Sequence, residues 1–151
     1  MQDIFNKSVA QSYIDRINRL RPYSPAQWGT MNASQMLAHC CVTYEMVYEP
    51  QLHRPVGGLA KWILKNFVKK KVVGEKPYPH STPTAPQFRI TGTPDFDEQR
   101  KRLVGYIQKT QQLGRSAFDG KESFSFGKLT GQEWNNMFAK HLDHHLRQFG
   151  V

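Results

Sequence analysis

Leu129-Thr130-Gly131-Gln132-Glu133-Trp134-Asn135-Asn136-Met137-Phe138-Ala139-Lys140-His141-Leu142-Asp143-His144-His145-Leu146-Arg147-Gln148 reads as one long amphipathic helix, and it decides the fold. Thr130 caps it, Glu133 completes a capping box, and Leu129 can staple onto Trp134. Taking His141 as zero, at about 100° per residue, Trp134 falls at about +20°, Met137 at about −40°, Phe138 at about +60°, His145 at about +40° and Gln148 at about −20°. His141 and His145 therefore sit inside the apolar stripe, one turn apart. His144, at about −60°, lies on its rim.

The same entry signal occurs earlier. Trp28-Gly29-Thr30-Met31-Asn32-Ala33-Ser34-Gln35 and Phe126-Gly127-Lys128-Leu129-Thr130-Gly131-Gln132-Glu133 share the order aromatic, Gly, any, apolar, cap, any, any, Gln or Glu. This is reuse of one helix-entry geometry, and it predicts a helix from Asn32 to near Pro50 with Met36, His39, Thr43 and Met46 on one stripe. Residues 3–20 step by three and four through Ile4, Phe5, Val9, Tyr13, Ile14, Ile17 and Leu20, giving a first helix ended by Pro22 and Pro25. Thr93 as cap and Pro94 at the first helical position open a further helix carrying Phe96, Leu103, Ile107 and Leu113 inward, closed by Gly114. Arg115 to Lys128, rich in Gly, Ser and Phe, has room for a short hairpin. Strand signals are otherwise too few for a sheet-based core. The expectation is an all-α chain, 1–151 as one domain, folded as a four-helix bundle.

Between the second helix and the third main one lie a basic amphipathic segment and a Pro-rich crossover. Leu59, Trp62, Ile63 and Phe67 form an apolar stripe, and Lys61, Lys65 and Lys69 the row beside it, within a lysine-rich run from Lys61 to Lys76. Pro77, Pro79, Pro83 and Pro86 then enforce an extended crossing. The net charge of +9 suits an anionic partner, although solvated helix faces are the better reading of each cluster. No stretch is long and apolar enough for a membrane span, and the mean hydropathy is −0.64. The first residues lack the layout of a secretory signal, and Cys40 and Cys41 are adjacent, so they could bond to each other only through a strained ring; reduced thiols and a cytoplasmic location are expected.

A buried neutral imidazole needs partners for both ring nitrogens, and of the other core-facing residues on the last helix only Gln148 offers one. Metal coordination resolves this directly, one nitrogen to the ion and the other to an acceptor behind it. His39 is the candidate third ligand. In an up-down-up-down bundle, however, the second and fourth helices run the same way. His39 lies roughly 10 Å past its cap, while His141 and His145 lie roughly 16 and 22 Å past theirs, so such a meeting is permitted but not demanded. His53 and His80 fall in loops or beside prolines. Three histidines would leave positions open, the layout of a catalytic site, for zinc, nickel or iron. Position 142 is Leu where a zincin helix carries its Glu base, and no Glu-x-x-His pair of the di-iron kind occurs.

Trp28-Gly29 with Met31 through His39, then Thr84-Ala85-Pro86, then Phe126-Gly127 through Trp134 to His141-Leu142-Asp143-His144-His145-Leu146-Arg147-Gln148-Phe149, resembles the DUF1569 family of the DinB/YfiT-like superfamily of metalloenzymes. The resemblance spans nearly the whole chain and is most specific in the last helix. It implies a four-helix bundle holding a divalent metal through His39, His141 and His145. It further implies chemistry related to thiol-dependent S-transferases and isomerases, acting on a small-molecule substrate with a low-molecular-weight thiol. No catalytic residue is assigned, and His144 is the candidate for a role beside the ligands. Two other readings stay open. One is a basic module for nucleic acid or an anionic surface with structural histidines. The other is a non-catalytic metal-binding bundle acting as a sensor or homodimer partner.

Overall fold

The structure, a computed structural model, describes residues 2–80 and 83–151; of the Pro-rich crossing, positions 81 and 82 lie outside the described residues. The chain is mostly helical, with one small two-stranded sheet. The long helices are α1 (Lys7–Arg19), α2 (Ala33–Tyr48), α5 (Phe96–Leu113) and α6 (Gly131–Gln148). Between α2 and α5 run two short helices, α3 (Gly58–Ile63) and α4 (Lys69–Val73), joined by a π-helical turn over Leu64–Val68. Strands β1 (Glu122–Ser123) and β2 (Gly127–Lys128) make the expected hairpin before α6.

Local chemistry sets the helix ends. The Asn6 side chain accepts from the N–H groups of Ser8 and Val9 and starts α1. Both capping boxes close: Asn32 with Gln35 on α2, and Thr130 with Glu133 on α6. Gly29 and Gly127, the matching glycines of the two entry motifs, both take positive φ (79° and 74°), a backbone conformation that costs any residue with a Cβ. The shared pattern is thus one entry geometry used twice. On α5 the start differs from expectation. Asp95, not Thr93, caps it by accepting from the Glu98 N–H at 2.8 Å, because its carboxylate is the stronger cap and the helix begins after it. Leu113 also differs: it is exposed at the end of α5 rather than inward, where the last turn has run past its neighbours.

The direction of each helix follows from which residues meet. Along α2 and α5, Cys41 faces Gln99, Glu45 binds Arg102 and Tyr48 binds Thr110, so these two helices run parallel. Along α1 and α6, the Ile4 N–H reaches Asn135, the Tyr13 hydroxyl reaches the carbonyl of Ala139, and Arg16 pairs with Asp143, again parallel. Between α2 and α6, Tyr44 stacks on Phe138 while His39 and Thr43 reach His141, so these two are antiparallel. The order is therefore up-down-down-up, not up-down-up-down. A crossover from Glu49 to Asp95 is long enough to return the chain to the end from which α2 started, so α5 sets off in the same direction.

Leu20, Leu37, Leu103, Ile107 and Phe138 occupy the centre of the core at zero exposure or close to it. α6 is enclosed on several faces. Beyond the predicted stripe it buries Asn135, Asn136, Lys140, Leu142 and Leu146, because α1 and α4 cover further faces of it in addition to α2. Lys140 fastens α4: its Nζ donates to the carbonyls of Lys71 and Gly74 and lies 4.6 Å from the Tyr78 ring centroid, and burial pulls its pKa down to about 8. Cys40 and Cys41 are both free thiols, buried as small core residues, and burial pushes Cys41 up to about 12.

The α3 part of the basic segment stays outside this core, whereas Val73 of α4 joins it. Leu59, Trp62, Ile63 and Phe67 are exposed, so the apolar stripe read from the sequence faces outward over much of its length.

Candidate metal centre

His39 on α2 and His141 and His145 on α6 converge, each offering a ring nitrogen within 4.8 Å of the others. Antiparallel packing makes this possible. His39 lies seven residues past the cap of α2, and His141 and His145 lie seven and three residues before the end of α6, so the early part of one helix meets the late part of the other. The depth mismatch of the parallel arrangement does not arise.

Each imidazole is held from behind. His39 Nδ1 donates to the carbonyl of Phe88 at 2.8 Å, delivered by the short turn Pro86–Phe88. A carbonyl only accepts, so His39 carries its proton on Nδ1 and presents a bare lone pair on Nε2. His145 Nδ1 lies 2.8 Å from Gln148 Oε1, and Gln148 Nε2 donates to the Trp28 carbonyl at 2.6 Å. That second bond identifies which end of the amide faces His145, so His145 too has its proton on Nδ1 and its lone pair on Nε2. Gly29 allows the approach: a Cβ there would stand 2.5 Å from Gln148 Nε2.

His141 is the variable member. Its Nδ1 lies 3.0 Å from Thr43 Oγ1, and its Nε2 lies 3.0 Å from His39 Nε2. Two lone pairs cannot face each other at that distance without a proton or cation between them. A hydroxyl both donates and accepts. With Thr43 donating, His141 points Nε2–H at His39; with Thr43 accepting, all three Nε2 lone pairs turn toward one point. The donor set fits a divalent transition metal. In a tetrahedral site with bonds of about 2.0–2.1 Å, neighbouring nitrogens stand about 3.3 Å apart; the Nε2 atoms of His39 and His141 are 3.0 Å apart, and the ligand atoms of all three rings lie within 4.8 Å of one another.

The electrostatics favour neutral rings, the form a metal needs. Burial drives His141 well below its ordinary value, reinforced by the facing His145 and His39. Burial and His39 push His145 down to about 3. Burial lowers His39 as well, against the opposing pull of the Phe88 carbonyl.

The histidines border a cavity of about 1150 Å³, walled largely by apolar side chains including Met46, Phe88, Phe126 and Met137. Trp28 and Trp134 line it too, and each has a buried indole N–H with no acceptor among the described residues. His144 stands at the rim as expected, half-buried, with ring centroids 5.0 Å from His145 and 5.8 Å from Trp28. The remaining histidines stay outside the cluster. His53 pairs with Glu45 at 3.0 Å, and His80 stacks on Trp28 at 3.8 Å.

Gln148 is legible in the sequence as a hydrogen-bond partner for the imidazoles, but the carbonyls of Phe88 and Trp28 are not. Thr43 shares the stripe of His39 and carried that signal. A backbone carbonyl carries none beyond the Pro86 and Gly29 that shape its loop.

A family model described as "Protein of unknown function (DUF1569)" matches residues 7–150. No curated protein and no solved structure matches the chain.

Proposed function

The chain belongs to the DUF1569 family, and we propose that it is a metal-dependent enzyme of transferase or hydrolase type. In this reading α1, α2, α5 and α6 form a four-helix bundle of the DinB/YfiT-like kind, and His39, His141 and His145 hold one divalent metal, zinc, nickel or iron. The observation that carries it is the convergence of the three rings: every Nδ1 has a partner outside the cluster, His39 Nε2 faces His141 Nε2 at 3.0 Å, and the three rings offer ligand atoms within 4.8 Å of one another. A bound ion with open positions would act as a Lewis acid, activating water or a thiol at neutral pH.

The protein's own residues supply the rest. Phe88, Thr43 and Gln148 orient the rings, and Phe88 and Gln148 select the tautomers of His39 and His145. The apolar cavity limits water around the site and accepts a substrate with a bulky apolar part. His144, between cavity and solvent, is placed to exchange a proton with the reacting group. A low-molecular-weight thiol is the co-substrate of choice.

Elemental analysis of protein purified without a metal column tests the reading. About one equivalent of a transition metal is expected in the native chain and less than about a tenth in His141→Ala. A native content already below that level, unchanged by the substitution, would sink it. Thiol-transfer and hydrolysis assays on the loaded protein then separate an enzyme from a metal-binding bundle.

A further inference from the structure

Four of the seven large hydrophobic side chains exposed among the described residues lie between positions 59 and 67: Leu59 at 76%, Trp62 at 57%, Ile63 at 44% and Phe67 at 70%. Trp62 and Phe67 touch edge to face across the π-helical turn, with centroids 5.8 Å apart, so the exposed groups include a packed pair. Isolated apolar residues on a surface need no explanation, whereas a contiguous cluster does.

The charge around the cluster is one-sided. From Arg54 to Lys76 the chain has seven basic residues and one acidic residue, Glu75. Lys61 and Lys69 pair with Glu122 and Glu133 on the hairpin and α6. Lys65, Lys70, Lys71 and Lys76 are exposed and have no carboxylate within ion-pairing distance among the described residues.

We propose that the α3–α4 segment docks this protein on an anionic lipid surface, with Leu59, Trp62 and Phe67 entering the headgroup–acyl boundary and the free lysines meeting lipid phosphates and carboxylates. An amphipathic helix with Trp, Phe and Leu on one face and lysines beside it has the composition that lies in a membrane interface. The other occupants suit the patch less well. A second copy meeting it across a two-fold axis would set two strongly positive segments face to face. A nucleic acid would satisfy the lysines but leave Leu59 and Ile63 without apolar contact. Since Ile63, Leu64 and Phe67 also line the cavity, docking would bring the histidine cavity beside the bilayer.

The test is co-sedimentation of the full chain with vesicles of about one part phosphatidylserine to three parts phosphatidylcholine, against phosphatidylcholine alone, at low and physiological salt. Binding is expected to the anionic vesicles only, weakening as salt rises. The pair Lys65→Gln and Lys70→Gln should weaken it about 25-fold, at roughly fivefold per lysine. The pair Trp62→Ser and Phe67→Ser should weaken it about tenfold or more. Thermal unfolding, unchanged in both variants, separates loss of binding from loss of fold. Failure to bind at low salt overturns the proposal. So does binding that ignores lipid charge or either pair of substitutions, and so does a dimer or a nucleic-acid complex that these same substitutions abolish in place of vesicle binding.

Discussion

The cavity has two contrasting sides. On one, His39, His141 and His145 are buried polar groups, and each is anchored by a hydrogen bond from the far side of its ring. On the other, the α3–α4 segment sets Leu59, Trp62 and Phe67 in water, and its lysines are mostly unpaired. Placing imidazoles inside a core costs free energy unless every ring nitrogen is matched, so that side is over-determined by its neighbours. Exposing large apolar groups gains nothing in the isolated chain. The unfavourable features of the first side are thus matched inside the protein, and those of the second are not.

The contrast can be broken first at the groups behind the rings. Gln148→Leu or Thr43→Val should each weaken metal retention about 10- to 100-fold, measured by competition with a chelator, while Thr43→Ser keeps the hydroxyl and the affinity. Equal retention in all three variants would mean that the rings need no support.

A smaller effect follows from proton linkage in chelated protein. The folded pKa of His145, about 3, lies below the unfolded value of about 6.5. Above that unfolded value the folded and unfolded chains are both neutral at this position and its contribution is complete. As pH falls toward the folded pKa, the unfolded chain gains the proton first, so stability declines. At about pH 5 the loss from His145 alone is about 2 kcal/mol, and His39 and His141, shifted the same way, add to it. Denaturant titrations of the apo chain between about pH 7 and 5 would show this decline, and His145→Gln should flatten it; a pH-independent midpoint would contradict the burial of neutral rings.

The smallest effect belongs to the lysine-rich side. Trp62→Ser and Phe67→Ser should change the unfolding free energy by no more than about 0.5 kcal/mol, because neither side chain belongs to the core. A large loss by thermal or denaturant unfolding would mean that the segment packs more closely than its exposure indicates.

Much of this was legible in local pattern. Asn32 and Thr130 as caps, the stop near Pro50, the hairpin before α6, the inward pair His141 and His145, and His144 on the rim all follow from periodicities and end signals that act within a few residues. The start of α5 is ambiguous in the sequence because Thr93-Pro94 and Asp95 are competing caps two residues apart. The burial of Lys140 and Asn136 was illegible for another reason: a single stripe describes a helix with one neighbour, and α6 has three.

By itself the sequence determined the long helices, the capped starts of α2 and α6 and the inward stripe of α6, since each depends on short-range backbone chemistry and the spacing of apolar side chains. It also named the three histidines. Tertiary structure alone decided that α2 and α6 run antiparallel, which brings His39 to the level of His141 and His145. It alone decided that the Phe88 and Trp28 carbonyls stand behind the site, and that Leu59, Trp62 and Phe67 remain outside the core. The physical reason is the long crossover between α2 and α5. Its path sets helix direction and covers some surfaces while leaving others bare, and no local periodicity encodes where it runs.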